Sequence, residues 1–169
     1  NTLEVLFTQR VQTLTDMGEL RTTLGDLRRA EKDIIINFNN TIEVSNGRDL
    51  WKKSLQNLTK GMADVRKVQA GDASFAEAID KALAEVKEYE AGISPVFEQI
   101  ERAQIDGAVG GAYAEKYKKH MEASDKLLFD LAMDARKKMD EARQGVDALA
   151  STMSGMIGGA LLLALAVLI

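Results

Sequence analysis

The sequence predicts an all-α protein: an antiparallel up-down-up-down four-helix bundle whose fourth helix continues into a transmembrane helix. Three observations carry this expectation. The composition holds one proline and 5% aromatic residues, with abundant Ala, Leu, Glu, Lys and Arg, which favours long helices over a sheet. Apolar residues recur every three or four positions in four stretches, separated by short breaks rich in Gly, Asn and Asp. Residues 151–169 carry no charged side chain and end in Gly-Gly-Ala-Leu-Leu-Leu-Ala-Leu-Ala-Val-Leu-Ile. A bilayer-spanning helix takes roughly 20 apolar residues, so this run reads as one. A buried C-terminal helix is the bland alternative, but such helices seldom run apolar on every face.

The first stretch places Leu3, Phe7, Val11, Leu14, Met17, Leu20, Leu24, Leu27, Ile34 and Phe38 on one helical stripe. Ser45-Asn46-Gly47 reads as its stop, with Gly in the usual position. A second helix follows with Trp51, Leu55, Leu58, Met62 and Val65 in the same rhythm, and Gly71-Asp72 breaks it. Ser74 and Glu77 form an S-x-x-E capping box ahead of a third helix. Its stripe is Phe75, Ile79, Ala82, Val86, Tyr89, Ile93, Val96 and Ile100, with Pro95 inside it as an expected kink. Asp106-Gly107 and Gly110-Gly111 mark the next break. Met121, Leu128, Leu131, Ala135, Met139, Ala142, Val146, Leu149 and Met153 then repeat straight into the apolar tail without a breaker. Short turns make neighbouring helices antiparallel. The first and fourth helices are expected to reach ~60 Å and the inner pair to be shorter. That layout divides the chain into a four-helix bundle, residues 1–152, and the start of a membrane span, residues 153–169.

Composition also excludes function classes. The net charge of −4, without a basic stripe interleaved with aromatics, excludes a general nucleic-acid binder. Cysteine is absent, which removes disulfides and thiolate metal sites. A single histidine and no paired carboxylates at a recognisable spacing leave no triad, metal cluster or phosphate loop. The expectation is a protein that is not an enzyme and has no cofactor or metal. Neither an initiator methionine nor a cleavable leader pattern is present, so the chain reads as a piece of a longer protein.

Residues 20–33, Leu-Arg-Thr-Thr-Leu-Gly-Asp-Leu-Arg-Arg-Ala-Glu-Lys-Asp, together with Gly111-Ala112-Tyr113, carry a resemblance. They are similar to the arginine-bearing first helix and the start of helix four in the periplasmic sensor domain of bacterial methyl-accepting chemotaxis proteins. The layout as a whole resembles that four-helix-bundle domain. In the aspartate-type receptor of the family, helix-one arginines and residues near the start of helix four clasp ligand carboxylates across a homodimer interface. Arg28 matches the first of those arginines, while the other two fall at about Asp33 and Asn37 here. The family's helix-four threonine is replaced by the region of Lys116 to Lys118. The resemblance therefore implies an anion site at this level without implying aspartate.

The residues themselves support a site there. Arg21, Arg28 and Lys32 share one face of helix one, flanking the Leu24–Leu27 stripe. Tyr113, Lys116, Tyr117 and His120 line one face of helix four by steps of three and four. In an up-down bundle these segments are neighbours, so Arg28, Lys32, Tyr113, Lys116, Tyr117 and His120 form the expected ligand-binding set. Arg28 supplies a bidentate grip on a carboxylate, and the tyrosines supply a wall and hydroxyl donors. The bland readings are an Arg29 surface pair with Asp26 and Asp33, a Lys119–Glu115 pair, a solvent-facing Lys118, a core Tyr117 and a solvated His120.

The expected function is a chemoreceptor sensor domain. It binds a small organic anion (a di- or tricarboxylate such as malate or citrate, or an amino acid) and transmits a signal across the bacterial inner membrane, with this region periplasmic. The expected partners are the carboxylate ligand, a second copy in a homodimer, and the membrane. By resemblance, cytoplasmic kinase-coupling machinery is reached only through the rest of the parent chain. Gly155-x-x-x-Gly159 permits close transmembrane helix packing. Alternative readings are a tail-anchored helical tether or membrane-remodelling protein, or the sensor domain of a two-component histidine kinase.

Overall fold

The computed structural model describes the backbone of residues 2–167 and the side chains of residues 8–148, 151 and 152. It holds four helices, α1 (Thr2–Ile36), α2 (Thr41–Val68), α3 (Ala73–Glu101) and α4 (Gly107–Val167), with no strand among the described residues. Helix α1 packs on α2 and α4, and α3 packs on α4 and α2, while α1 and α3 barely touch. Cross-helix pairs fix the directions. Thr13 meets Gln69 and Ile34 meets Gly47, so α2 runs against α1. Arg66 meets Asp80 and Arg48 meets Glu101, so α3 runs against α2. Gly92 meets Tyr117 and Asp72 meets Lys138, so α4 runs against α3.

Each helix contributes one buried stripe. Met17, Leu20, Leu24, Leu27 and Ile34 of α1 face Trp51, Leu55, Leu58 and Met62 of α2 in a shared core. Ile79, Val86, Tyr89, Ile93 and Phe97 of α3, with Met121 and Leu128 of α4, complete it. Trp51 anchors the upper core, its ring edge-on to Phe97 at 5.2 Å between centroids. Such a contact adds to the burial of both rings. Val11, Phe38 and Val146, expected on the stripes, are instead 41%, 38% and 46% exposed. Leu3, Phe7, Leu149 and Met153 lie outside the residues whose side chains are described.

Three boundaries differ from expectation, each for a local reason. The first turn falls at residues 37–40, not at Ser45-Asn46-Gly47. Asn40 caps α2, its side chain accepting from the backbone N–H of Ile42 and Glu43. Gly47 is inside α2 and buried, because a Cβ there would stand 2.8 Å from Ile34 Cγ1. It is small for packing, not for turning. The cap of α3 is Asp72, which accepts from Phe75 N–H and Ser74 Oγ–H, so Ser74 supports the cap and is not the cap. The last turn covers residues 102–106, with Ala103 in the left-handed region at φ 53°. Asp106 accepts from Val109 N–H. Gly107 and Gly110 lie in the first turns of α4, where added Cβ atoms would stand 2.7 Å from Ile35 O and Ile100 Cδ1. Pro95 sits inside α3, which is helical on both sides of it.

The length pattern is sharper than expected. Helix α1 has 35 residues, α2 28 and α3 29, whereas α4 has 61 and extends well past its neighbours. At about 1.5 Å per residue α4 is about 90 Å long. Among the described residues no helix is long and apolar enough to cross a membrane. The side chains of the expected span, residues 153–169, lie outside the described set.

Candidate functional site

The turns at residues 37–40 and 102–106 meet at one end of the molecule, and below them α1 and α4 part to leave a cleft of about 330 Å³. Its α1 wall is Arg28, Glu31, Lys32, Ile35 and Ile36, and its α4 wall is Gly111, Ala114, Glu115, Lys118 and Met121. The room comes from residue size. Gly111 and Ala114 stand where larger side chains would fill the groove, while Ala114 and Met121 are buried among the core residues. Below the cleft Arg21 clamps Asp125 across the two helices at 2.8 Å and lies 5.1 Å from the centre of the Phe129 ring.

The cleft is electrostatically unbalanced. Among the described residues neither Arg28 nor Lys32 makes a hydrogen bond or ion pair. Lys118 is held by Glu115 at 3.3 Å and Glu122 at 3.5 Å. Glu31 faces inward: Tyr89 Oη–H donates to its Oε2 at 2.6 Å, and Trp51 Nε1–H donates to Tyr89 Oη at 3.0 Å. Burial pushes the Glu31 carboxyl above its usual range, against the lowering effect of the Tyr89 hydrogen bond and of Arg28 and Lys32. Burial, then the Glu31 charge, pushes the Tyr89 phenol well up, so it stays a neutral donor.

The structure divides the expected site residues between two faces of α4. Arg28 and Lys32 line the cleft. Tyr113 is 42% exposed and outside its wall. Lys116, Tyr117 and His120 turn toward α3. The Tyr117 ring lies so close to Gly92 that a Cβ there would meet it at 2.2 Å. Lys116 Nζ stands 5.5 Å from the centre of that ring. His120 Nδ1 is 2.7 Å from Glu85 Oε2 of α3, and its ring stacks on Tyr117 at 6.5 Å. Steps of three and four do keep Tyr113, Lys116, Tyr117 and His120 on one face of α4, but the cleft is lined by the neighbouring face, which carries Gly111, Ala114, Glu115, Lys118 and Met121.

Three cleft residues were missed by the sequence reading. Lys118, expected in solvent, lines the cleft and takes the Glu115 pairing assigned to Lys119. Its signal is position: it follows Ala114 by four and precedes Met121 by three. Glu115 shares that flank. Glu31 has the clearest signal, a charged residue at the step between Leu27 and Ile34 of an otherwise apolar stripe. The Arg29–Asp26 surface pair is present as expected, at 3.0 Å. No group of His, Cys, Asp or Glu that could hold a metal occurs among the described residues. No protein-family model, curated protein or solved structure matches this chain.

Proposed function

We propose that this chain is a sensor module that binds a small organic anion in the α1–α4 cleft and relays occupancy along α4. The observation that carries the reading is the cleft itself, where Arg28 and Lys32 stand together without a hydrogen bond or ion pair among the described residues. A di- or tricarboxylate, or an amino acid, supplies what they lack. Charge-assisted hydrogen bonds contribute about 1.5–3 kcal/mol each, so two or three support micromolar affinity. Both walls of the cleft belong to long helices, and one of them, α4, continues toward the apolar run 153–169. A ligand that favours one packing of α4 over another shifts that equilibrium by its difference in affinity for the two. In this reading 153–169 begins a transmembrane helix, the bundle is periplasmic, and two copies pair. A cytoplasmic signalling part of the parent protein, of chemoreceptor type, controls a kinase. The resemblance of residues 20–33 and Gly111-Ala112-Tyr113 to chemoreceptor sensors supports this assignment.

Isothermal titration with organic acids tests it. Arg28→Ala is expected to weaken binding at least about tenfold, the loss of one charge-assisted contact. His120→Ala, on the α3 face, is expected to leave affinity within about twofold. Unchanged affinity in Arg28→Ala removes the site.

A further inference from the structure

The cleft wall contains one group that a plain anion site does not call for, the Glu31 carboxylate. Its Oε2 is held by Tyr89, whose single O–H is committed to that bond while Trp51 donates to the phenol oxygen. Its Oε1 has no partner among the described residues. Nor is Oε1 sealed in the core: Ser124 Oγ is the buried side-chain polar atom left without a partner among them. An accessible acceptor therefore stands on the cleft wall that Arg28 and Lys32 also line, three residues after Arg28 on the same side of the helix. An acid bearing only carboxylates meets Glu31 as a like charge. An acid bearing an O–H or N–H beside a carboxylate satisfies it.

We infer that Glu31 is a specificity-determining residue of the cleft, accepting a hydrogen bond from a hydroxyl or ammonium group that the ligand carries beside its carboxylate. The inference rests on the reading of the cleft as a carboxylate site and names the class of acid that fits it. Sites built to hydrogen-bond a ligand donor discriminate strongly against analogues that lack it, because the acceptor, cut off from water beneath the ligand, is then left unpaired.

Succinate, malate and aspartate share a four-carbon diacid skeleton and differ at one carbon, which carries hydrogen, hydroxyl or ammonium. In titrations of the full chain, malate or aspartate is expected to bind at least about tenfold more tightly than succinate. Glu31→Gln keeps the side-chain size, offers a carbonyl to Tyr89 and removes the charge. It is expected to bring the ratio within about threefold while succinate affinity holds or rises. The inference is overturned by equal binding of succinate and the better of its analogues by the wild type, by a ratio that survives in Glu31→Gln, or by no binding of any of the three at about 10 mM. A uniform loss for all three acids in Glu31→Gln also overturns it, since that marks a structural role alone. Arg28→Ala separates the two readings. It weakens all three acids together if the cleft binds carboxylates, and leaves all three unchanged if it does not.

Discussion

The two ends of the α1–α4 pair use charge in opposite ways. Near the turns at residues 37–40 and 102–106, the cleft gathers three cations, Arg28, Lys32 and Lys118, against two carboxylates, Glu31 and Glu115. Toward the other end, a smaller cavity of about 230 Å³ holds Arg10 and Lys138 against Asp72 and Asp134, together with Thr13 and Gln69. There one lysine takes up both carboxylates. Lys138 bridges Asp72 at 3.2 Å and Asp134 at 2.7 Å, and Gln69 donates to Thr13. The lower cluster ties the α2–α3 turn to α1 and α4. The upper one leaves two cations unspent and turns its inner carboxylate toward the core. The difference teaches that two polar cavities along one helix pair need not be equivalent: in one a lysine bridges carboxylates of two elements, and in the other two cations without an ion pair among the described residues line the wall beside an inward-turned carboxylate.

The largest expected effect attacks the upper region. Tyr89→Phe strips the donor from Glu31 and the acceptor from Trp51 in one change, and is expected to lower stability by about 2–3 kcal/mol. Urea unfolding followed by circular dichroism measures it. A loss below about 0.5 kcal/mol means the Trp51–Tyr89–Glu31 chain does not operate as a unit. Asp72→Ala is expected to lose about 1 kcal/mol through the missing helix cap, with organic-acid affinity unchanged. Altered affinity there would erase the contrast between the two regions. Asp72 also gives the lower region a pH signature. The Ser74 hydroxyl, the Phe75 N–H and Lys138 hold its carboxyl at about 2, below the usual 3.8. The folded chain thus releases this proton more readily than the unfolded one. The stability it adds is full above pH 3.8 and is lost as the pH falls through about 2. Solvent screens this half-exposed group, so the expected signal is a shallower fall of the urea midpoint with acid in Asp72→Ala than in the wild type. The last effect has the opposite sign. Ser124 is wholly buried between the two regions and its hydroxyl has no partner among the described residues, so Ser124→Ala is expected to gain about 1 kcal/mol.

Helix number, all-α class and most of each stripe were legible because burial follows the helical period. Turn positions were less so. Gly47 and Gly110 carry the usual sign of a break, yet each is small because a neighbouring isoleucine occupies the space of its missing side chain. That requirement belongs to a partner helix and leaves no local mark. Asn40 and Asp72 were ordinary polar residues until the chain direction around them was known. Within the cleft, Arg28 and Lys32 were readable from their spacing beside the apolar stripe. Their α4 counterparts were displaced because the stripe was phased on Met121 without Ala114, which rotated the inferred face toward α3. Glu31 could have been found from the sequence, since a carboxylate on an apolar stripe implies a buried donor. Which donor required the fold.

Trp51 is the only tryptophan in the chain, and two hydrogen bonds separate its indole from the cleft wall. The molecule therefore carries its own optical gauge. Anything that draws Glu31 outward or repositions the Tyr89 hydroxyl alters the polarity at the indole N–H, so ultraviolet emission from the unlabelled protein registers events in the groove.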